Sequence, residues 1–524
     1  MLKWMRRAIR LALISIALLI HAVAAPQPEP ILEYIQKTWS ALTRSNRDLA
    51  RAAPDPKFHR PADGRWPVYV PGTTDLDAIE AQLGREMPPA EFKTIRLLLL
   101  QPNAAPGLLY LPKPYVVPGG RFNEMYGWDS FFIEMGLLRD HRDALARDLA
   151  DDALYEIRNY GKILNANRTY YLMRSQPPFL TEMLLAVYRR TRNRAWLAAA
   201  LPAIEADHLY WIREPHLTPA TGLSRYFALG DGPAPEVVAD ERDARGRTHY
   251  DLARKYYRTH PVTDYDQAEY YDAKQDKLTE LFYKGDRSMR ESGFDPSDRF
   301  GPFSVDIIHY NPVDLNSLLY LMESQTADIL RILGRENDAA SWRKRAADRA
   351  ALINRLLWDE RDGLYEDYDF VHQRLRRYPF LTTFYPLWAG IASREQAARV
   401  VRALPMFEKA GGLETSTNQS GEQWDAPFGW APLELIAVQG LRRYGYDQDA
   451  DRISSEFLSL VLEQYRKSGR IVEKYDVVHR TADVGGEIKF GYHSNEAGFG
   501  WTNAAFTVLL DALPPQAKTQ LLNP

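Results

Sequence analysis

The chain has 524 residues, 45% of them hydrophobic and 26% charged, which excludes a disordered or fibrous protein and leaves room for a large core. Sixty-six Lys+Arg stand against 69 Asp+Glu, a formal charge of −3, so the balance does not suit a nucleic-acid partner. Cys is absent, which excludes disulfides and thiolate metal sites, and stability has to come from packing.

The amino terminus has the anatomy of an export signal. Lys3, Arg6, Arg7 and Arg10 form a basic region, Leu11 to Ile20 a short apolar stretch, and Ala22-Val23-Ala24 a small-x-small cleavage site. Residues 1–24 are expected to be a cleaved signal peptide and residues 25–32, "APQPEPIL", a linker. An uncleaved anchor is the alternative. Cleavage would strip basic residues and no acidic ones. The expected location is the periplasm, or outside the cell, with no stable membrane anchor left behind.

From there the pattern is helical. Residues 129–161 place apolar side chains at three- and four-residue spacing, and residues 179–212 read as two helices around a polar turn. Residues 316–334 and 338–358 make another pair, and 429–445 with 449–469 one more. These are αα-hairpins with short turns. No alternating run suggests a major sheet, and no fixed-period repeat suggests an open solenoid. The pattern predicts an all-α protein whose hairpins close into a toroid, with one catalytic domain over residues 33–515. Residues 231–286 are highly charged and Tyr-rich. They read as a rim insertion or, equally, a solvated excursion.

The chain lacks Walker A and HExxH patterns. What it has is carboxylates in glycine- and aromatic-rich loops: "PGGRFNEMYGWDSFF" (118–132), "RESGFDPSDRF" (290–300), "GEQWDAPFGWAPLE" (421–434), "IVEKYD" (471–476) and "VGGEIKF" (484–490). Glycoside hydrolysis needs two carboxyl groups about one bond, one protonated and one ionised. Asp295, between Phe294 and Pro296, suits an acid desolvated by its neighbours. Glu473, before Lys474, suits a fixed and ionised base. Taken singly, each of these carboxylates reads more simply as a helix cap or an ion-pair partner, Arg121 and Arg174 as structural forks, and Trp128 and Trp424 as core.

The first and third of those stretches resemble the two signatures of the trehalases, the family 37 glycoside hydrolases. Further matches follow in order: "NANRTYYLMRSQPPF" (165–179), "ESGFDPSDRF" (291–300), "PVDLNSLLYLME" (312–323), "EKYD" (473–476), "GGE" (485–487) and "GFGWTN" (498–503). The resemblance spans residues from about 31 to 510. It implies an (α/α)6 toroid, a six-hairpin glycosidase barrel with long active-site loops. It also implies hydrolysis of α,α-trehalose to two glucose molecules with inversion. By motif, Asp295 matches the family's general acid and Glu473 its general base. Arg121, Trp128, Asp129, Asn165, Arg174, Ser175, Gln176, Glu236, Gly293 and Glu487 match its sugar contacts. No cofactor or metal is implied, since two carboxylates and water suffice. Trehalose is the expected partner and a monomer the expected state.

The chain departs from that pattern in three places. Ala234 stands where the family often has an arginine, so one fork is lost or supplied by Arg242 or Arg245. The family's SGWD is SGFD here. The glycine-rich lid is shortened to "VGGEI" with residues 489–497 inserted, which makes Glu496 a rival to Glu487. These departures leave open another small α-glucoside as substrate. A non-catalytic sugar binder and a phosphorylase on a similar scaffold are the remaining alternatives.

Overall fold

A computed structural model gives the fold over residues 28–240, 245–484 and 494–522. The expected signal peptide, Arg242 and Glu487 lie outside these described residues.

The frame is built from twelve of the described helices. In chain order they are α1 (Ile31–Leu42), α2 (Gly127–Arg139), α3 (Asp143–Tyr160), α4 (Leu180–Thr191), α5 (Arg194–Trp211) and α6 (Val313–Ile332). Then come α7 (Glu336–Leu356), α8 (Tyr385–Ala389), α9 (Arg394–Ala403), α10 (Ala431–Arg443), α11 (Asp447–Ser468) and α12 (Gly500–Ala512). The even-numbered helices touch in sequence, α2 to α4, α6, α8, α10 and α12, and α12 returns to α2. That is a closed inner ring. The odd-numbered helices lie outside it. α3 packs on α2 and α4, α5 on α4 and α6, α7 on α6, α11 on α10 and α12, and α1 on α12. Five hairpins are sequential; the sixth joins the two ends of the described chain, α1 and α12. The (α/α)6 toroid expected from the sequence is the fold observed.

Composition explains which helices go inside. α12 buries Gly500, Trp501, Ala504, Phe506 and Leu510 around its whole circumference, and its polar Thr502, Asn503 and Thr507 are buried too. A helix apolar on every side has to be enclosed. The outer α9 buries only Ala397 and Val400, and a capping box between Ser393 and Gln396 starts it. The ring closes through a small residue. A Cβ at Gly136 on α2 would stand 2.8 Å from the Ala504 Cβ of α12 and from Trp39 of α1.

Residues 43–117 carry something the sequence pattern does not reveal. Strands β1 (Trp66–Val70), β2 (Ile95–Leu99) and β3 (Leu108–Leu109) form a small parallel sheet, order β2-β1-β3, with Val68 opposite Leu97 and Leu108. Five-residue apolar runs such as "WPVYV" do not distinguish a strand from a piece of buried helix. No described sheet exceeds three strands.

The charged segment folds on itself. Helices Pro235–Asp240 and His249–Thr259, and a hairpin pairing Tyr271–Asp272 with Lys277–Leu278, lead into helix Glu280–Glu291. Its tyrosines are not solvated: Tyr250, Tyr257, Tyr265 and Tyr270 pack with Phe282, Phe303 and Val305 in a core of their own.

Candidate active site

A cavity of about 230 Å³ opens where α2 and α12 begin. α2 brings Trp128 and Asp129 in its first turn, so the positive end of its dipole points at the space. α12 brings Trp501. Beneath lies a floor of rings. Trp424 and Trp430 stack at 3.8 Å, and Trp128 meets Trp424, Trp501 and Phe294 at 5.8, 5.9 and 5.5 Å.

Glu473 precedes strand β5 (Lys474–Asp476), which pairs antiparallel with β4 (Phe428–Trp430). Its carbonyl accepts from Trp501 Nε1 at 3.0 Å, and that of Val472 accepts from the Thr502 hydroxyl at 2.8 Å. The first turn of α12 thus holds the backbone on which Glu473 sits. Its side chain is 2% exposed and lies 3.5 Å from Lys474 Nζ. Burial pushes the Lys474 ammonium down and the Glu473 charge opposes this.

Asp295 reaches the cavity from the turn after helix Glu280–Glu291. Gly293 makes that turn at φ +79°, and a Cβ there would stand 2.9 Å from the Trp128 ring, so only glycine fits. The sequence suggested an acid walled in by its neighbours. Instead the Asp295 side chain is 33% exposed, with Arg290 Nη1 3.7 Å from its Oδ2. Phe294 turns inward onto Trp128, Trp424 and Phe380 and does not cover its neighbour. The group that burial does push far up is Asp129, raised further by the charges of Glu473 and Asp295.

The other expected residues gather from segments far apart in sequence. Arg121, Asn165, Arg174, Gln176, Glu236 and Gly293 line the same cavity as Trp128, Asp129, Asp295 and Glu473. Arg174 donates to Glu236 at 2.6 Å and to the Asn165 side chain at 3.2 Å. Burial pushes the Glu236 carboxyl up, but Arg174 and Arg290 outweigh it and hold it low. Gln176 accepts from the Trp128 amide at 3.0 Å. Ser175 is not on the wall. Its hydroxyl donates to the Ile163 carbonyl at 2.7 Å, and its amide donates to Glu291 at 3.0 Å. Glu496, the rival for the lid position, lies 3.3 Å from Arg121 Nε. Glu487 falls outside the described residues.

The Ala234 departure takes a different form in three dimensions. Ala234 has no exposed surface, its amide donates to the Tyr250 hydroxyl at 2.8 Å, and Arg245 is exposed and off the cavity wall. The third arginine on the wall, with Arg121 and Arg174, is Arg290. Sequence reasoning passed over it, although it stands in "RESGFD" five residues before Asp295. Tyr171 and Phe499 were likewise missed; both sit in or beside quoted stretches.

Comparison with known proteins bears on this arrangement. The family model described as Trehalase matches residues 73–514. The chain belongs to the trehalase family. It is therefore a glycoside hydrolase, and trehalose hydrolysis, expected from the motifs, stands with that membership. A cytosolic neutral trehalase of Pyricularia oryzae is 36% identical over 89% of this chain and 71% of that protein. One from Saccharomyces cerevisiae is 34% identical over 92% and 71%. Among solved structures, neutral trehalase Nth1 from Saccharomyces cerevisiae superposes with a TM-score of 0.77 at 32% identity, over 94% of this chain and 96% of that one.

These relatives overturn the expectation of an exported, periplasmic trehalase, because they are named cytosolic. A basic, apolar amino terminus is a compositional signal only, and a chain without Cys needs no oxidising compartment.

Proposed function

We propose that this trehalase-family enzyme hydrolyses α,α-trehalose by a single inverting displacement, with Asp295 as general acid and Glu473 as general base. The observation that carries the reading is the convergence of these two carboxyl groups, from loops far apart in sequence, on one cavity that also holds Arg121, Arg174 and the Trp128 ring.

Glu473 takes a proton from a water that attacks C1 of one glucosyl unit. Asp295 delivers its proton to the glycosidic oxygen as the C1–O bond breaks. The attacked glucose leaves as the β anomer and the leaving glucose as the α anomer. The site is reset when Glu473 releases its proton and Asp295 regains one. An inverting site keeps its carboxyl groups on the order of 6.5–9.5 Å apart, so that a water fits between substrate and base. Burial fixes the position of Glu473, and Lys474 Nζ at 3.5 Å places a positive charge beside it. The partial exposure of Asp295 gives it solvent access for reprotonation before sugar closes the cavity. Arg121 and Arg174 offer forked donors to sugar hydroxyls, and Trp128 an apolar face.

Proton NMR of the protein mixed with trehalose tests this. Equal α- and β-glucose in the first minutes is the expected result. Two equivalents of α-glucose would replace inversion by retention. No glucose from folded protein would turn attention to other small α-glucosides.

A further inference from the structure

Behind the cavity wall a buried polar chain runs from the charged segment to Asp295. Asp286 has no exposed surface and stands one turn before Arg290 on helix Glu280–Glu291. Its two oxygens accept from Arg290 Nε at 3.3 and 3.2 Å. Tyr250, on helix His249–Thr259, donates to Asp286 Oδ2 at 2.8 Å, and His249 Nε2 lies 3.5 Å from Oδ1. The Tyr250 hydroxyl also accepts from the Ala234 amide, two residues before Glu236. The other arm of Arg290 lies 3.7 Å from Asp295.

We propose that Asp286 and Tyr250 are positioning residues of the hydrolytic site. Through Arg290 they set where a guanidinium stands against Asp295 and how much of its charge that carboxyl feels. The inference rests on the reading of Asp295 as general acid. A cation beside the acid favours its ionised form and weakens it as a proton donor. Asp286 offsets that cation from behind, so the acid keeps its proton to higher pH than it would beside an unpaired arginine. Tyr250 moderates Asp286 in turn by donating to it. The charged segment is then part of the acid's machinery as well as a rim.

Other charges face the same pair and are common to every variant compared. On its own helix Arg290 has Arg287. Arg174 comes from a loop, Glu236 from helix Pro235–Asp240, and His249 from helix His249–Thr259. Asp129 on the cavity wall and the buried Lys474 beside Glu473 also interact with the Asp295 charge.

The test is the pH dependence of kcat/KM for trehalose, with folding checked by circular dichroism. Asp286→Asn keeps the shape and removes the charge. Its basic limb is expected to move to lower pH, by about half a unit or more. Tyr250→Phe removes the donor to Asp286, together with the acceptor of the Ala234 amide, and leaves a stronger counter-charge to Arg290. Its limb is expected to move the opposite way. A structural role alone would lower the rate by one factor at every pH. Limbs unmoved in both folded variants would overturn the proposal, and if Asp286→Asn does not fold, an unmoved limb in Tyr250→Phe does so. Asp295→Asn separates the two levels. Wild-type turnover there would remove the acid assignment and the link with it, whereas an inactive Asp295→Asn with unmoved limbs would remove the link alone.

Discussion

Gln423 is tied to Asp295 by a hydrogen bond that bridges 128 residues of sequence: its side-chain nitrogen donates to the Asp295 carbonyl oxygen. Its amide oxygen accepts from Lys474 Nζ at 3.2 Å, and Lys474 flanks Glu473. One buried amide thus spans the loop of the acid and the strand of the base. Gln423→Ala removes both bonds. We expect kcat to fall roughly ten- to a hundredfold, since small misplacements of reacting groups cost that much. KM should change less. Steady-state kinetics on trehalose decide it, and an unchanged kcat would mean that the spacing is held elsewhere.

Asp295→Asn and Glu473→Gln each remove one proton-transfer group without emptying its space. Each should lose on the order of 10²–10⁴ in kcat with the thermal transition preserved. Near-wild-type turnover in either would end its assignment.

Asp129 provides a pH-dependent prediction. Burial first, and then the charges of Glu473 and Asp295, hold its carboxyl well above the ordinary value of 3.8. The native state therefore binds a proton that the unfolded chain releases near pH 4, and stability falls as pH rises above that point. Asp129→Asn cannot ionise. Its Tm relative to wild type should rise steadily from pH 4 upward, as differential scanning calorimetry would show. A difference independent of pH would mean that Asp129 is ionised in the fold.

Gly293→Ala combines a left-handed backbone with a methyl group 2.9 Å from the Trp128 ring. The backbone strain alone costs on the order of 1–3 kcal/mol. We expect a lower Tm and a loss of kcat, because the turn that carries Asp295 has to move. A variant with wild-type stability and rate would show that the Trp128 ring yields at no cost.

On sequence alone, Ala234→Arg would return the fork that the family often carries at this position. In the fold this side chain is enclosed among Val237, Tyr250 and their neighbours. An arginine there overpacks the cluster, at about 1–3 kcal/mol, and buries a charge. The expected outcome is a lower Tm with no improvement in KM. A lower KM at unchanged Tm would mean that the side chain finds a way to the cavity.

Much of this protein was legible without coordinates. Apolar spacing marked the helical hairpins at 179–212, 316–358 and 429–469, and the motifs outside those hairpins supplied Arg121, Asp129, Arg174, Glu236, Asp295 and Glu473 of the cavity. The parallel sheet at 66–109 was not legible, because its strands are short apolar runs with no alternation. Arg290 was passed over because a lone arginine in a helix reads as a surface charge until its partners are known.

The sequence by itself determined the helical period, the hairpin order and the motifs that mark the trehalase family, since all of these are local patterns. Tertiary structure decided which carboxyl is buried. Phe294 turns away from Asp295 because Gly293 bends the chain against Trp128, whereas Glu473 is enclosed because α12, beginning at Gly500, packs over its backbone. It also decided that α1 and α12 complete the ring and that Tyr250 and Asp286 stand behind Arg290. Burial and charge pairing depend on elements that meet only in three dimensions, and no local period encodes them.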